Sequence, residues 1–202
     1  LLSAWGTANM RTGGDDIAQV LALLGVCPEW EPMSGRVTGF KIIPYTALGR
    51  PRVDVTVRIS GFFRDAFPYQ VELIDAAIQR VAGLEEPEEF NPLAALATAE
   101  RINLSSSEAN PETAFRRSTM RIFGSKPGAY GAGLQSLIDE GIWETQEDFA
   151  TAYLKWGSFV YGKKLEGETE EELLRTRLSK VQVVLHNQDN REHDILDSDD
   201  YY

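Results

Sequence analysis

Hydrophobic and polar positions along the chain follow two periods, one typical of helices and one typical of strands. Between Asp15 and Gly25 the apolar residues fall at i, i+3, i+4 and i+7, which predicts an amphipathic helix. Asp15 can cap its first turn, and Gly25 lies where such a helix ends. From Val53 to Ile59 apolar and polar residues alternate, which predicts a strand buried on one face.

Similar patterns predict the remaining elements. Short strands are expected at 39–45, from 120 onward and at 181–185, and helices at 69–84, 93–102, 134–141 and 145–162. A last helix is expected within 166–180, because Thr169 and Glu172 have the spacing of a capping box.

This order of strand, helix, strand, several helices and strand predicts the α/β class, with an open, mostly parallel sheet, flanking helices and a helical insert. We expect a single α/β domain or a fragment of a much larger subunit. Its parts are a strand and helix part at 1–65, a mostly helical part at 66–180, and a strand with an acidic loop at 181–202. The chain starts without Met and ends on a polar segment, which favours the fragment.

Reactive side chains follow two of the predicted strands. Gly61, Arg64 and Asp65 come directly after the strand at 53–59, and His186 follows the strand at 181–185. Ligands of open α/β sheets bind at the carboxyl ends of the strands, so both places are candidate sites.

Composition excludes several classes of protein. The 202 residues are 43% hydrophobic, enough for a core, and their net charge of −11 disfavours binding to nucleic acid or to an anionic membrane. Cys27 is the one cysteine, so we expect no internal disulfide and a cytoplasmic protein. No apolar run approaches the roughly 20 residues of a membrane span, and no signal-peptide pattern is visible at the start.

Charge is divided unevenly along the chain. Residues 36–64 carry a net charge of +5, from Arg36, Lys41, Arg50, Arg52, Arg58 and Arg64 against Asp54. Residues 186–202 carry a net charge of −5, from Asp189, Glu192, Asp194, Asp197, Asp199 and Asp200 against Arg191. The two segments are expected to bind unlike ligand groups or each other, unless they are ordinary surface charge.

Two short segments have the spacing of anion-binding motifs. Residues 157–164 match a phosphate-binding P-loop up to the lysine, but Lys164 replaces the required Ser or Thr and the preceding segment is helical. We therefore predict that this segment binds no nucleotide. Gly128 to Gly133 contains three glycines, which either form a structural turn or present N–H groups to an anion.

The closing segment holds both histidines of the chain together with its acidic run. It lacks the central Gly of a calcium loop, and no cysteine indicates a structural zinc site. It is either a solvated loop or a site that binds a divalent first-row metal such as cobalt and accepts protons near neutral pH.

Long segments then resemble one family. "WGTANMRTGGDDIAQVLALLG", "LGRPRVDVTVRISGFFRDAFP", "RIFGSKPGAYGAGL" and "VLHNQDNREHDILDSDDYY" resemble, in order, the large subunit of aerobic cobaltochelatase, the CobN type. The large subunit of magnesium chelatase, its H component, belongs to the sister family and shares "WGT", "LGRPRVDV" and "FRD". His186, His193 and the "DSDD" run favour the cobalt type.

The resemblance implies an activity and its participants. Such subunits bind a tetrapyrrole, hydrogenobyrinic acid a,c-diamide, and insert Co²⁺, which is a substrate. ATP is hydrolysed by separate AAA+ ATPase partner subunits, so Mg-ATP is expected there and not on this chain.

The resemblance and the chemistry of the side chains together give site expectations in three groups. Catalytic roles are expected for Asp189, Glu192, His193 and Asp197. Metal contacts are expected for His186, His193, Asp194 and Asp199. Substrate contacts are expected for Arg11, Gly13, Arg50, Arg52, Arg58, Arg64 and Tyr130, the arginines binding peripheral carboxylates. Trp5 and Tyr130 are candidates for stacking on the macrocycle, although aromatic residues more often fill a core.

Other interpretations stay open at this point. The arginine hypothesis weakens if Arg58 and Arg64 only pair with Asp54 and Asp65. One rival function is that of the magnesium chelatase H component, which inserts Mg²⁺ into protoporphyrin IX. Another is a non-catalytic tetrapyrrole-binding scaffold, and a third is a structural α/β part whose site is completed by other segments.

Overall fold

A computed structural model describes residues 1–105 and 110–187 of the chain. The described residues form seven strands and ten helices. The strands are β1 (Leu2–Ala4), β2 (Val26–Trp30), β3 (Val37–Ile42), β4 (Val57–Ile59), β5 (Ile122–Gly124), β6 (Phe159–Gly162) and β7 (Leu165–Thr169). The helices are α1 (Gly6–Thr12), α2 (Asp15–Leu24), α3 (Tyr45–Leu48), α4 (Gly61–Ala66), α5 (Pro68–Ala82), α6 (Pro92–Ser105), α7 (Pro111–Ser118), α8 (Gln135–Glu140), α9 (Gln146–Gly157) and α10 (Glu171–Ser179).

The chain separates into two compact units that interleave along the sequence. Of the described residues, unit 1 comprises Leu1–Asp16, Thr56–Pro68 and those from Ile122 onward, and unit 2 comprises Ile17–Val55 and those between Tyr69 and Arg121. The expected single domain, with parts at 1–65, 66–180 and 181–202, stays a prediction.

Unit 1 is built on a five-stranded sheet in the order β1-β4-β5-β6-β7. The pairs β1–β4 and β4–β5 are parallel, whereas β5–β6 and β6–β7 are antiparallel. Four of the five strands therefore point the same way, and β6 alone of these five is reversed. Leu2, Val57 and Ile59 are completely buried, so the short central strands form the core of this unit. The predicted α/β class with a mostly parallel sheet is confirmed.

The strand expected at 181–185 is reduced to one bridge beside β1. Leu185 pairs with Leu2 in parallel, its N–H donates to the carbonyl oxygen of Leu1 at 2.8 Å, and its own carbonyl accepts from the N–H of Ser3 at 3.2 Å. His186 directly follows this bridge, and its ring contacts Trp5, the residue after the carboxyl end of β1.

The alternating segment 53–59 forms a strand only in its second half, Val57–Ile59. The N–H of Val53 donates instead to the carbonyl oxygen of Leu23 at 3.0 Å, and Val55 is buried within unit 2. Alternation correctly predicts the burial of Val55, Val57 and Ile59, but Val53 is exposed and Thr56 is buried. Alternation also does not by itself provide a neighbouring strand for each residue.

Unit 2 combines a hairpin with helices. Strands β2 and β3 pair antiparallel from Val26 opposite Ile42, and α5, α6 and α7 supply buried residues such as Ile74, Ile78 and Leu93. The helices expected at 15–25, 69–84 and 93–102 are confirmed as α2, α5 and α6. Strand β2 was not predicted, because Pro28 and Glu29 interrupt its apolar pattern.

Two helix boundaries differ from the prediction. The capping box at Thr169 is wrong: Thr169 pairs with Phe159 as the last residue of β7, and α10 begins after Glu170 without a side-chain cap. A capping box forms instead at Thr145 and Asp148, at the start of α9. The helix expected to run to 162 ends at Gly157, because the next residues pair as β6.

The segment 157–164 forms the end of α9, strand β6 and the following turn, which leads into β7. A phosphate-binding P-loop lies between a strand and the helix after it, so this hairpin has a different local structure. Among the helices of the described residues, none is both long and apolar enough to cross a membrane.

Candidate ligand site at the carboxyl ends of β1 and β4

A cavity of about 190 Å³ in unit 1 lies where β1 and β4 end. Trp5 directly follows β1 and Ser60 directly follows β4, so the two parallel strands deliver both residues to the same edge of the sheet. The cavity is lined by Leu1, Ser3, Trp5, Arg58, Ile59, Ser60, Gly131, Ala132, Tyr153, Val184 and His186. The site thus joins β1, β4, the glycine-rich loop (Gly128 to Gly133), α9 and the segment that contains Val184 and His186.

Arg58 is the cation of this cavity. Its guanidinium carbon lies 5.5 Å from the centre of the Tyr153 ring, and Nη1 donates to the carbonyl oxygen of Ile59 at 3.1 Å. Within residues 1–105 and 110–187, Arg58 makes no ion pair with a carboxylate, and Asp54 binds Arg121 instead. Arg58 therefore offers positive charge to a ligand in the cavity.

Trp5 and His186 form a second wall. The two rings meet edge to face, with centroids 6.4 Å apart and an interplanar angle of 81°. The indole Nε1 of Trp5 is buried and has no hydrogen-bond acceptor in the part of the chain that the structure describes. A buried donor of this kind favours a ligand that supplies an acceptor.

The glycine-rich loop closes the cavity through Gly131 and Ala132. Gly128, Gly131 and Gly133 have φ values of 77°, 80° and 78°, a left-handed conformation that side chains disfavour, which explains the three glycines. The carbonyl oxygen of Gly131 accepts from the indole N–H of Trp156 at 3.0 Å. The loop is therefore held in a defined position beside the cavity.

Arg64 anchors the same loop from α4. Its Nη1 donates to the carbonyl oxygens of Ser125 at 3.1 Å, Lys126 at 2.9 Å and Ala129 at 3.2 Å. Its Nε and Nη2 bind the Asp65 carboxylate at 2.6 Å and 2.9 Å. Arg64 is only 9% exposed, so its guanidinium is used by the protein itself.

Asp65 extends this anchor to Tyr130. The Tyr130 hydroxyl donates to Asp65 Oδ2 at 2.7 Å, and the Arg64 guanidinium lies 5.6 Å from the centre of the Tyr130 ring. The hydrogen bonds from Arg64 hold the pKa of Asp65 below its usual value, and the hydrogen bond to Asp65 raises the pKa of Tyr130. Tyr130 is 61% exposed, so its ring face is accessible for stacking.

Close packing at the start of α4 explains two further small residues. A Cβ on Gly61 would lie 2.6 Å from the carbonyl oxygen of Ala129, and a Cβ on Gly6 would lie 2.9 Å from the backbone nitrogen of Phe63. Ser60 Oγ accepts from the N–H of Gly6 at 3.2 Å and from that of Phe63 at 3.0 Å, which ties α1 to α4 beside the cavity.

Arg11 and Gly13 lie at the far end of α1. Arg11 is exposed in its last turn, and Gly13 ends it in the left-handed conformation with φ of 73°. Thr12 Oγ1 accepts from the N–H groups of Gly14 and Asp15, which sets the turn into α2. Neither Arg11 nor Gly13 lines the cavity, and their predicted substrate contacts stay predictions.

Arg50 and Arg52 belong to unit 2 and bind protein groups there. Arg50 donates to the carbonyl oxygens of Ala22, Leu23 and Pro51. Arg52 is 1% exposed and forms an ion pair with Glu86 at 2.7 Å. The basic segment 36–64 is therefore divided between the two units, and the predicted substrate contacts of Arg50, Arg52 and Arg64 stay untested.

Most of the predicted catalytic and metal-binding residues lie outside the described residues. These are Asp189, Glu192, His193, Asp194, Asp197 and Asp199. Just before them, Asn187 donates to Asp16 Oδ1 at 2.5 Å. In the described part of the chain, no three His, Cys, Asp or Glu side chains form a group that can hold a metal ion.

A larger open groove of about 360 Å³ in unit 1 is lined by Leu134, Phe149, Ala150, Tyr153, Leu154, Arg175 and Leu178. Its lining is almost entirely apolar, and Arg175 is paired with Glu171 and Glu172. Binding sites combine apolar walls with convergent polar groups, so we take the smaller cavity as the candidate site.

Sequence reasoning did not find Ser3, Ser60, Tyr153 and Trp156. Tyr153 and Trp156 lie in a helical pattern, where aromatic residues are ordinarily interpreted as core. Ser60 had a signal, since it is the first residue after a predicted strand. Ser3, Tyr153 and Trp156 reach the site through contacts with residues that are distant in sequence, which periodicity does not reveal.

Comparisons with known proteins agree along the whole chain. A family model described as CobN/Magnesium Chelatase matches residues 2–202. The aerobic cobaltochelatase subunit CobN of Sinorhizobium sp is 59% identical over 201 residues, which cover 100% of this chain and 16% of that protein. The H component of the magnesium chelatase of Cereibacter sphaeroides is 33% identical over 204 residues, covering 100% of this chain and 16% of that protein.

A solved structure is similar as well. The catalytic subunit of cobaltochelatase from Mycobacterium tuberculosis superposes with a TM-score of 0.91 at 50% sequence identity, covering 99% of this chain and 16% of that one. The chain thus spans about one sixth of the length of the relatives that it matches.

Proposed function

The chain belongs to the CobN/magnesium chelatase family, and we propose that it forms part of an ATP-dependent cobaltochelatase large subunit. In this proposal the subunit binds the tetrapyrrole hydrogenobyrinic acid a,c-diamide and inserts Co²⁺ as the second substrate. The cavity at the carboxyl ends of β1 and β4 is the part of the tetrapyrrole site that this chain contributes.

One observation carries the proposal. The fold brings Arg58, the glycine-rich loop and His186 to a single cavity, although they are far apart in sequence. Arg58 was expected to bind the substrate and His186 the metal, and the glycine-rich loop was expected to be either a structural turn or an anion contact. The cavity lies at the strand ends where α/β proteins bind ligands.

Metal insertion requires the loss of inner pyrrole protons and of the metal's water ligands. Imidazole and carboxylate groups can bind Co²⁺ weakly and accept protons near neutral pH. His186 lines the cavity, and the acidic segment with Asp189, Glu192 and His193 follows it directly in sequence. We propose that the proton acceptors are Asp189, Glu192, His193 and Asp197. We propose that the metal contacts are His186, His193, Asp194 and Asp199.

Cobalt is favoured over magnesium by two observations. The identity to a cobaltochelatase subunit is 59%, against 33% for the corresponding component of a magnesium chelatase over a similar length. The proposed metal contacts include His186 and His193, and imidazole suits a first-row transition metal better than Mg²⁺, a cation that prefers oxygen.

ATP hydrolysis is assigned to AAA+ partner subunits. The one segment with P-loop-like spacing, 157–164, forms a β-hairpin, and this arrangement does not place backbone N–H groups around a phosphate at the start of a helix. The proposal therefore gives this chain a role in substrate binding and metal insertion only.

The identity of the substrate is tested by absorbance titration of the full-length protein. Hydrogenobyrinic acid a,c-diamide and protoporphyrin IX are titrated separately under the same conditions. Selective binding of the first supports the cobalt assignment, whereas selective binding of protoporphyrin IX would assign the protein to magnesium chelatase.

Insertion is tested with the Asp189→Ala and His193→Ala variants in the complete chelatase with its ATPase partners. We expect both variants to bind hydrogenobyrinic acid a,c-diamide within about threefold of the unmodified protein. We expect cobalt insertion to fall by about 10²–10⁴-fold, the range for loss of a general acid or base. Unchanged insertion in both would favour a non-catalytic scaffold, and Lys155→Gln, on the exposed side of α9, serves as the control.

A further inference from the structure

The largely apolar walls of the cavity in unit 1 contain the Arg58 guanidinium and Trp5, and we propose that it is a subsite for one carboxylate arm of the tetrapyrrole. The macrocycle itself lies outside, against the rim. This subsite rests on the proposed function and deepens it, because it specifies which peripheral group of the substrate the cavity selects.

The volume of the cavity sets the size of its occupant. Pockets that enclose a whole small-molecule ligand usually measure about 300–1,000 Å³. This cavity measures about 190 Å³, so it is too small for a tetrapyrrole ring and large enough for a carboxylate with its short methylene chain. An acetate or propionate arm of the ring therefore fits where the ring does not.

The charge of the cavity favours an anion. Arg58 is its cation, and none of the described residues that line it is an Asp or Glu. The guanidinium lies near the Tyr153 ring and uses one N–H on the carbonyl oxygen of Ile59, which leaves the rest of its planar fork for a ligand. Such a fork matches a carboxylate with two parallel hydrogen bonds.

A neutral donor lies on the same lining as this cation. The Trp5 indole N–H is buried without an acceptor among the residues described, and Trp5 lines the cavity together with Arg58. Buried donors are nearly always paired in proteins, so this wall is complementary to a group that only accepts.

These donors discriminate a carboxylate from a carboxamide. An ionised carboxylate presents two acceptor oxygens, whereas a carboxamide replaces one of them with an NH₂ donor. In the cavity that NH₂ group would face Arg58 and the Trp5 N–H, donor against donor. The proposed substrate carries both carboxylates and amides, so the subsite would fix how the macrocycle is oriented.

Matched ligands and variants test the subsite in the full-length protein. Hydrogenobyrinic acid a,c-diamide and its fully amidated counterpart are titrated by visible absorbance. We expect the unmodified protein to bind the carboxylate form at least tenfold more tightly. Arg58→Gln is expected to weaken that binding by about 10-fold to 100-fold, the range for a charge-assisted hydrogen bond, and to leave the amidated ligand within twofold.

Three further variants refine this test. Arg58→Lys keeps the charge without the planar fork, so an intermediate loss is expected. Trp5→Phe keeps an aromatic ring without the N–H donor and is expected to weaken the carboxylate form by about 3-fold to 10-fold. Lys155→Gln removes one exposed positive charge on α9, outside the cavity lining, and is expected to change neither affinity.

The outcomes separate the subsite from the proposed function. If the unmodified protein binds neither tetrapyrrole, the proposed function itself is wrong. If it binds both forms equally, or if Arg58→Gln weakens both forms equally, the subsite is overturned while tetrapyrrole binding stands. Thermal unfolding of every variant is measured in parallel, and should Arg58→Gln fail to fold, Arg58→Lys and Trp5→Phe decide by the same comparison of the two ligands.

Discussion

Replacing Arg52 should unfold unit 2 more easily, whereas replacing Arg58 should affect ligand binding. The Arg52 guanidinium donates to both Glu86 oxygens at 2.7 Å and 2.8 Å. It also donates to the carbonyl oxygens of Leu24 at 3.0 Å, Gly25 at 2.9 Å and Ile43 at 2.7 Å. Its side chain is 0% exposed and that of Glu86 is 9% exposed, so the pair is screened little by solvent.

The Arg52→Met variant keeps much of the side-chain volume and removes every donor. It leaves the Glu86 carboxylate without its counter-charge, although Asn91 Nδ2 and the backbone N–H of Tyr45 still donate to it. It also removes one donor from each of the three carbonyl oxygens, and together these losses cost about 3–5 kcal/mol of the free energy of unfolding. For a protein of this size, 1 kcal/mol lowers the melting temperature by about 2–4 °C, so we expect a decrease of roughly 6–20 °C. Thermal unfolding followed by circular dichroism measures this decrease.

The same pair predicts a pH dependence. The hydrogen bonds from Arg52 hold the pKa of Glu86 below its ordinary value, despite the opposing effect of burial. The stabilisation is therefore complete above the unfolded pKa of about 4.3 and is lost as pH falls through the lower folded pKa. Unfolding measured from pH 7 to pH 3 should show this loss in the unmodified protein and a smaller one in Arg52→Met.

A double variant provides the control. In Arg52→Met with Glu86→Leu the buried carboxylate is gone, so the combined loss of stability should be smaller than the sum by about 0.5–3 kcal/mol. A purely structural role for Arg52 is refuted if Arg52→Met leaves the melting temperature unchanged and instead weakens tetrapyrrole binding tenfold or more. That result would make Arg52 a ligand contact, as the sequence alone suggested.

Three further substitutions have defined outcomes. Gly61→Ala places a Cβ 2.6 Å from the Ala129 carbonyl oxygen and should cost about 1–3 kcal/mol of stability by denaturant unfolding, since it must displace the glycine-rich loop. Asp54→Asn weakens the partner of Arg121, whose side chain is 0% exposed, and should lower the free energy of unfolding by about 1–3 kcal/mol, whereas Asp54→Glu should lose less. Lys164 has a φ of 63°, a conformation that costs about 1–2 kcal/mol for a residue with a Cβ. Because Gly loses about 0.5–1 kcal/mol more chain entropy on folding, Lys164→Gly should stabilise the protein by about 0.5–1 kcal/mol, and a lower melting temperature would contradict this.

Sequence patterns predicted the long elements better than the short ones. Helix α5 spans Pro68–Ala82, long enough for its 3.6-residue period to be unambiguous, and α2 has a clear apolar face with an acidic start. Strands β1 and β4 have three residues each, too few for alternation to define their ends. Their positions are decided by pairing with strands distant in sequence.

The sequence predicted the type of site better than it predicted the residues that form it. A position after a strand pointed to His186, the glycine-rich segment to Gly131, and the basic segment to Arg58. The family resemblance, which is confirmed, gave the context. Arg52 and Arg64 carry the same charge as Arg58, and only the structure separates them by their acceptors, a buried carboxylate and the carbonyl oxygens of a loop. Residue type alone does not reveal whether a guanidinium is already paired.

The most direct test of this account is hydrogen exchange by mass spectrometry on the full-length protein, with and without hydrogenobyrinic acid a,c-diamide. The account predicts slower exchange on ligand binding in the segments 3–6, 57–61 and 130–133, which surround the cavity, and no change in the β2–β3 hairpin at 26–42. Protection of the hairpin with no change at the cavity segments would contradict the account and place the tetrapyrrole elsewhere.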